Sequence, residues 1–273
     1  MKKIFTIIAM GVAVAASSQS KNTFVYNTKS AEVILLSEGQ RSSGLGNLIG
    51  LTPEIIAEVA PDNTFPGATN AFLVKTGGKV VLVDTGLGRE LFKNLQEHGV
   101  EPANVDVILI THLHGDHTGG LAKDGARAFP AAKLYLSKKE FESAGENALK
   151  IINLYSNDLV IFDPGVEKPA KVYGKIESMA CYGHTPGHTA FIVDDLVIWG
   201  DLTHAMSVQM PYPKVAIKYD TNPEMAVESR LKMLDYIVKH KLKAAGMHIP
   251  YPGIGNVKTN DKGGFVFEPV YFK

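Results

Sequence analysis

A mixed α/β (α+β) domain, with β-sheets packed on one another and helices outside, is the fold class the sequence predicts. Three observations carry that expectation. Short β-rich runs recur along the chain with few long helices between them, histidine- and aspartate-rich motifs stand at the ends of several runs, and no low-complexity tract or long linker divides the 273 residues. With 45% hydrophobic residues there is enough apolar surface for one sizeable core, and sheets covered by outer helices are a stable way to bury it.

The elements follow in order. NTFVYNTKSAEVILLSEG reads as two strands, and TPEIIAEVAP as a short helix with Thr52 as N-cap and Pro53 at its first position. NAFLVKTGGKVVLVDTG holds two β-rich runs flanking Gly77 and Gly78, which predicts a hairpin. GRELFKNLQEHG is a helix closed by Gly99, and NVDVILITH a buried strand that delivers His112. The pattern then repeats: AKLYLS is a strand, KKEFESAGENALK a helix, KVYGKIESMACYG and TAFIVDDLVIWGD strands, and PEMAVESRLKMLDYIVKHK a helix leading to AAGMHIP.

Acidic and basic residues balance at 28 each, so nothing recommends a nucleic-acid partner. The start, MKKIFTIIAMGVAVAASSQSKN, has two lysines, an apolar run from Ile4 to Ala16, and small residues near Ser18 and Ser20. That run is short of the roughly 20 residues a membrane-spanning helix needs. Residues 1–20 are therefore expected to be a cleaved signal peptide, and 21–273 one periplasmic or secreted domain without a membrane anchor. Cys181, the single cysteine, has no intrachain partner for a disulfide and reads as a buried strand residue.

The chemistry concentrates in ILITHLHGDHTGG, residues 108–120. His112, His114 and His117, three of the nine histidines, fall within six residues together with Asp116. They follow an apolar strand, and Gly115 among them marks a loop. Imidazole and carboxylate suit zinc, manganese or iron better than calcium, which prefers oxygen alone. Four such groups on a tight loop do not all reach one ion. The simpler geometry gives His112 and His114 to one metal and turns Asp116 and His117 toward a second. Further ligands then come from later strand ends: His184 and His188 in YGHTPGHTAFIV, Asp201 in LVIWGDLTH, and His248 in AAGMHIPYPG.

HLHGDH, HTPGHT, WGD and a late histidine, preceded by VLVDTG with Asp84, resemble the motifs of the metallo-β-lactamase superfamily of binuclear metallohydrolases. The resemblance runs from about Asn70 to His248 with the motifs in order. It implies a four-layer αββα sandwich with the site where strand ends of both sheets converge. It also implies one metal on His112, His114 and His188, a second on Asp116, His117 and His248, and Asp201 bridging them. Asp84 then supports a ligand, and His184 is structural. Two divalent ions, zinc first, with Mn(2+), Fe(2+) or Co(2+) as alternatives, would hold a bridging hydroxide that attacks the bond to be opened.

A bridging Asp201 argues against a true β-lactamase. The stretches WGDLTHAMSVQMPYPKVAIKYDTNPEM and FPGATNAFLVKTGGKVVLVDTG are most similar to the methyl parathion hydrolase and lactonase branch. Acyl homoserine lactonases carry a tyrosine three residues after the bridging aspartate, where this chain has His204. The expected activity is hydrolysis of a lactone or carboxylic ester on a small molecule, with Asp116, Asp201 and His204 as catalytic residues and phosphotriester turnover as a side activity. The alternatives are phosphotriester hydrolysis as the main activity, a β-lactamase-like amide hydrolase, and a non-catalytic metal-binding protein. Met206, Met210, Tyr212 and Phe65 are expected to line an apolar pocket. Relatives often pair, so a homodimer is expected.

Overall fold

The computed structural model describes residues 22–271, so the expected leader at 1–20 lies outside the described residues. Two seven-stranded sheets form the centre. The first holds β1 (Thr23–Asn27), β2 (Ala31–Gly44), β3 (Thr64–Thr76), β4 (Lys79–Val83), β5 (Val107–Leu109), β6 (Lys133–Ser137) and β7 (Leu159–Phe162), side by side in that order. The second holds β8 (Ala170–Tyr173), β9 (Ile176–Ala180), β10 (Thr189–Val193), β11 (Leu196–Ile198), β12 (Lys243–Ala245), β13 (Ile254–Thr259) and β14 (Phe265–Pro269), again in chain order. Each sheet begins with four antiparallel strands; the first then turns parallel at β4–β5 and stays so through β7, whereas the second has one parallel step, at β11–β12, and is antiparallel again through β14. The parallel steps need crossovers, and helices α2 (Leu91–Glu97) and α7 (Pro223–His240) lie in those at β4–β5 and β11–β12.

Period-two alternation makes the layers. In β2, Val33 and Leu35 enter the cluster between the sheets, with Phe72, Val81, Leu109, Phe191 and Ile198. Their neighbours Ile34 and Leu36 face the other way and pack with Leu73, Leu82, Leu91 and Leu95, the last two from α2. On the far side, Ile192, Val197 and Trp199 meet Met233, Leu234 and Ile237 of α7. Because central strands are covered on both faces, they read as unbroken apolar runs such as VVLV and VILI. The layers are therefore helix, sheet, sheet, helix, the expected αββα sandwich.

Local chemistry explains the boundaries. In α1 (Pro53–Val59), Thr52 Oγ1 accepts from Ile55 N at 3.4 Å. Gly77 and Gly78 sit at φ 57° and 73°, the left-handed pair a two-residue hairpin of this kind requires. Three expectations change. KKEFESAGENALK is broken at Gly145 into α4 (Lys138–Glu142) and α5 (Glu146–Asn153), and KVYGKIESMACYG and TAFIVDDLVIWGD fold back at Gly174 (φ 54°) and Asp194 (φ 51°) as hairpins rather than one strand each. Short helices α3 (Gly115–Thr118) and α6 (Met206–Gln209) follow strands of the first and second sheet.

Candidate metal centre

All the motif residues gather at one end of the sandwich, on the connections after β4, β5, β9, β11 and β12. The first group joins the two sheets. His112 Nε2 lies 3.0 Å from His114 Nδ1, and His184 Nε2 lies 3.2 Å and 3.0 Å from those two atoms. Asp201 Oδ2 completes a four-atom set, 3.6 Å from His112 Nε2 and 3.3 Å from His184 Nε2. Zinc–nitrogen bonds of 2.0–2.1 Å in a tetrahedron put neighbouring donor atoms about 3.3 Å apart. Three ring nitrogens at that spacing cannot all be satisfied by protons they share, because each imidazole brings only one when neutral. A central cation satisfies all of them.

The second group shares the carboxylate. His117 Nε2 is 3.1 Å from Asp201 Oδ1, and His248 Nε2 is 3.1 Å from Asp201 Oδ2. Asp116 stands beyond them, 3.8 Å from His117 Nε2 and 3.6 Å from His248 Nε2. His117 Nε2 and Asp201 Oδ1 are both buried without a hydrogen-bond partner. Orphaned polar atoms are costly, and two that converge on one space fit a bound cation.

The far sides of three of these rings are held. Asp84, at a left-handed φ of 57° where β4 ends, accepts from Thr111 N and from Thr111 Oγ1, both at 2.7 Å, and from His117 Nδ1 at 2.6 Å. Asp220 accepts from His184 Nδ1 at 2.8 Å, and the Ala68 carbonyl from His248 Nδ1 at 2.9 Å. With Nδ1 donating, Nε2 is the ring atom left to face the site, the usual arrangement behind metal-binding histidine. Burial holds the His114 imidazole down to about 4 and drives His112 well below its ordinary value, so both rings are neutral. Burial also opposes charge on His117 and His184, but the carboxylates of Asp201 and Asp84, and of Asp201 and Asp220, outweigh it. His117 stands well above its ordinary value, and His184 rises to about 9. The carboxylates thus draw positive charge into this end of the sandwich.

His188 requires a correction. The sequence reading placed it with His112 and His114, but both of its ring nitrogens are committed to the backbone. Nδ1 donates to the Cys181 carbonyl at 2.9 Å, and Nε2 accepts from Asp201 N–H at 2.9 Å. His184, expected to be structural, takes the place among the converging nitrogens. His188 instead holds the backbone of Asp201, and it needs Gly200 beside it: a Cβ there would fall 2.4 Å from His188 Nε2.

A pocket of about 410 Å³ opens onto both groups, lined by Arg41, His114, Gly115, Asp116, Asp201, His204, Tyr219 and His248. His204 Nε2 lies 3.0 Å from Asp201 Oδ2, and burial holds this ring down to about 4. Arg41, Tyr219 and the supporting Asp220 carry no motif and escape sequence reasoning. The methionine and aromatic set does not line this pocket. Met206 and Met210 border a separate apolar groove of about 480 Å³ with Ile249 and Phe265, whereas Phe65 and Tyr212 pack with Val208 and Val215.

Residues 64–235 match the metallo-β-lactamase superfamily model; the chain belongs to that superfamily. It is 26% identical over 214 residues to an atrochrysone carboxyl ACP thioesterase of Aspergillus chevalieri, covering 73% of this chain and 68% of that one. It is 28% identical over 183 residues to the lactamase-like protein aptB of Emericella nidulans, covering 63% of this chain and 56% of that one. Among solved structures, the hydrolase AbOPH of the β-lactamase superfamily superposes with a TM-score of 0.82 at 26% identity, covering 93% of this chain and 99% of that one. AidC, a dizinc quorum-quenching lactonase in complex with a homoserine product, superposes with a TM-score of 0.81 at 24% identity, covering 93% and 100%. This is a metallo-β-lactamase-fold hydrolase whose histidine and aspartate cluster is compatible with a binuclear metal site.

Proposed function

We propose that the protein is a binuclear metal-dependent hydrolase that opens a lactone or carboxylic ester of a small molecule, with phosphotriester hydrolysis as a side activity. The observation that carries this reading is the pair of converging donor groups sharing Asp201 at the base of one open pocket. His112 Nε2, His114 Nδ1, His184 Nε2 and Asp201 would hold one ion, and Asp116, His117 Nε2, His248 Nε2 and Asp201 the other. Two divalent ions, zinc first by this donor set, supply hydroxide at neutral pH and polarise the oxygen of the scissile group.

The chain's own groups position substrate and move protons. Asp116, with a third of its side chain exposed, faces the pocket and takes the proton that the attacking water loses. Asp116 would return that same proton to the leaving oxygen, so that ester and water become acid and alcohol, while His204, held neutral by burial, lines the pocket and would orient the substrate. The likeness to a thioesterase and to a lactonase supports acyl-group chemistry. A secreted or periplasmic location after cleavage near residue 20, and a homodimer, belong to the same proposal; intact mass and sizing of the protein exported by cells test both.

Metal analysis of the purified chain, paired with hydrolysis of an acyl homoserine lactone, a nitrophenyl ester and methyl paraoxon, tests the function. Two metals per chain with turnover of the lactone or ester is the expected result. Two metals with none of the three substrates consumed overturns it.

A further inference from the structure

A buried carboxylate outside all the motifs ties the two metal-facing loops together. Glu140, in α4 just after β6, is 2% exposed. Its Oε1 accepts from Leu113 N at 2.9 Å, and its Oε2 accepts from Thr185 Oγ1 at 2.7 Å and from Gly187 N at 2.9 Å. Leu113 stands between His112 and His114, and Thr185 follows His184. One carboxylate therefore holds the main chain beside all three ring donors of the first group, across loops that come from different sheets.

The surroundings are built for this contact. Ser137, the N-cap of α4, donates from Oγ to the Gly187 carbonyl at 2.7 Å. A Cβ on Gly187 would fall 2.1 Å from Glu140 N and 2.5 Å from Ser137 Oγ, so glycine at this point of HTPGH is required by the close approach of α4. Glu140 makes none of the charged contacts expected of a ligand: no ion pair within 4 Å involves it among the described residues, and its three bonds go to two backbone N–H groups and a hydroxyl.

We propose that Glu140 is a positioning residue for the first metal site, setting the spacing of His112 Nε2, His114 Nδ1 and His184 Nε2 through the main chain of both loops. This rests on the binuclear reading above. Carboxylate geometry is needed because both oxygens face donors. In Glu140→Gln, either Leu113 N–H or Gly187 N–H must face an amide N–H, and one of the two loops is released. Partners behind metal ligands are typically worth about 10- to 100-fold in metal affinity.

The test is a Zn(2+) titration of the metal-stripped full chain against a chromophoric chelator, with ¹⁵N histidine-ring spectra recorded alongside. His114, which offers Nδ1 where the other ligand rings offer Nε2, marks the first site in those spectra. Glu140→Gln should weaken the site that perturbs His114 by about 10- to 100-fold and leave the His117 and His248 site within about twofold. Thr185→Val, which removes a single donor to the carboxylate, should weaken the same site by a smaller factor. Tyr155→Phe, which removes a buried hydroxyl bonded to the Leu121 carbonyl and Phe129 N, controls for loss of stability alone. A Glu140→Gln isotherm that superposes on wild type, or one in which both sites weaken together as in Tyr155→Phe, overturns the proposal. A wild-type chain without two sites overturns the binuclear reading, and this inference with it; the wild-type isotherm thus separates the two failures.

Discussion

His184 and His188 stand four residues apart in one turn, and substituting each by alanine should give opposite profiles. His184 Nε2 is one of four converging donor atoms of the first group. Zinc in a four-ligand site binds with about 10–16 kcal/mol, so one ligand carries roughly 2.5–4 kcal/mol, or about 60- to 700-fold at 1.4 kcal/mol per tenfold. His184→Ala should therefore lose the first metal by that factor. His188→Ala removes no converging donor atom. It leaves Asp201 N–H and the Cys181 carbonyl without their partner in a fully buried place, a cost of about 1–3 kcal/mol for the donor. That loss falls on folding stability, with a smaller effect on metal affinity through the displaced Asp201. Chelator competition measures affinity and urea unfolding of the stripped protein measures stability. If His188→Ala abolished the first site while His184→Ala retained it, the ligand assignment drawn from the ring geometry would be wrong.

Four further outcomes follow from the same geometry. Asp201→Asn weakens the carboxylate shared by both groups, so metal content and turnover should fall together; full metal stoichiometry with full activity refutes the bridge. His204→Ala removes a neutral ring that would orient substrate from the pocket wall and should lower kcat by about 100-fold, the low end for losing one positioned donor, while metal analysis still finds two ions. Arg230, 1% exposed, donates to the carbonyls of Leu202, Pro213 and Val215. Arg230→Met should cost about 2 kcal/mol, near 1 for each of the abandoned Leu202 and Pro213 carbonyls, since the Val215 carbonyl keeps Gln209 Nε2 at 3.0 Å, and lower Tm by about 4–8 °C in a calorimetric scan. Burial pushes the Asp194 carboxyl up, but donors from Thr28 and Ser30 outweigh it and hold the group below its ordinary value. Its contribution is present above the unfolded value and is lost as pH falls through the folded one, so Asp194→Asn should destabilise at pH 7 and less at pH 3. Equal losses in urea unfolding at both pH values refute that linkage.

What was legible in the sequence is what depends on neighbouring residues. The Gly77–Gly78 hairpin, the Thr52 cap and the strand ending at His112 each follow from a few adjacent side chains. The sandwich was legible because strands covered on both faces need continuous apolar runs, and the α7 segment repeats its apolar positions at helical spacing. β7, β13 and β14 were missed: LVIF is a four-residue run, and IGNVKT and FVFEP mix polar and apolar residues without clear alternation. The break at Gly145 was missed because KKEFESAGENALK has good helix formers on both sides of the glycine.

The site divides along the same line. That His112, His114, Asp116 and His117 stand together on a strand end can be read from six residues, because a short loop leaves them nowhere else to go. Which ring of HTPGHT turns inward cannot be read that way. His188 immediately precedes β10 and points beneath the loop to the Asp201 backbone, whereas His184 reaches His112 only because Asp220, 36 residues later in sequence, fixes its Nδ1. Asp220 stands in an ordinary polar stretch, KYDTN, and its role exists only once α7 has brought that segment against the loop. The same holds for Glu140, whose three partners come from both sheets. Motifs record the atoms that converge on the candidate metal centre. The groups that aim those atoms are supplied by the packing of the two halves, and they are the residues that a local reading passes over.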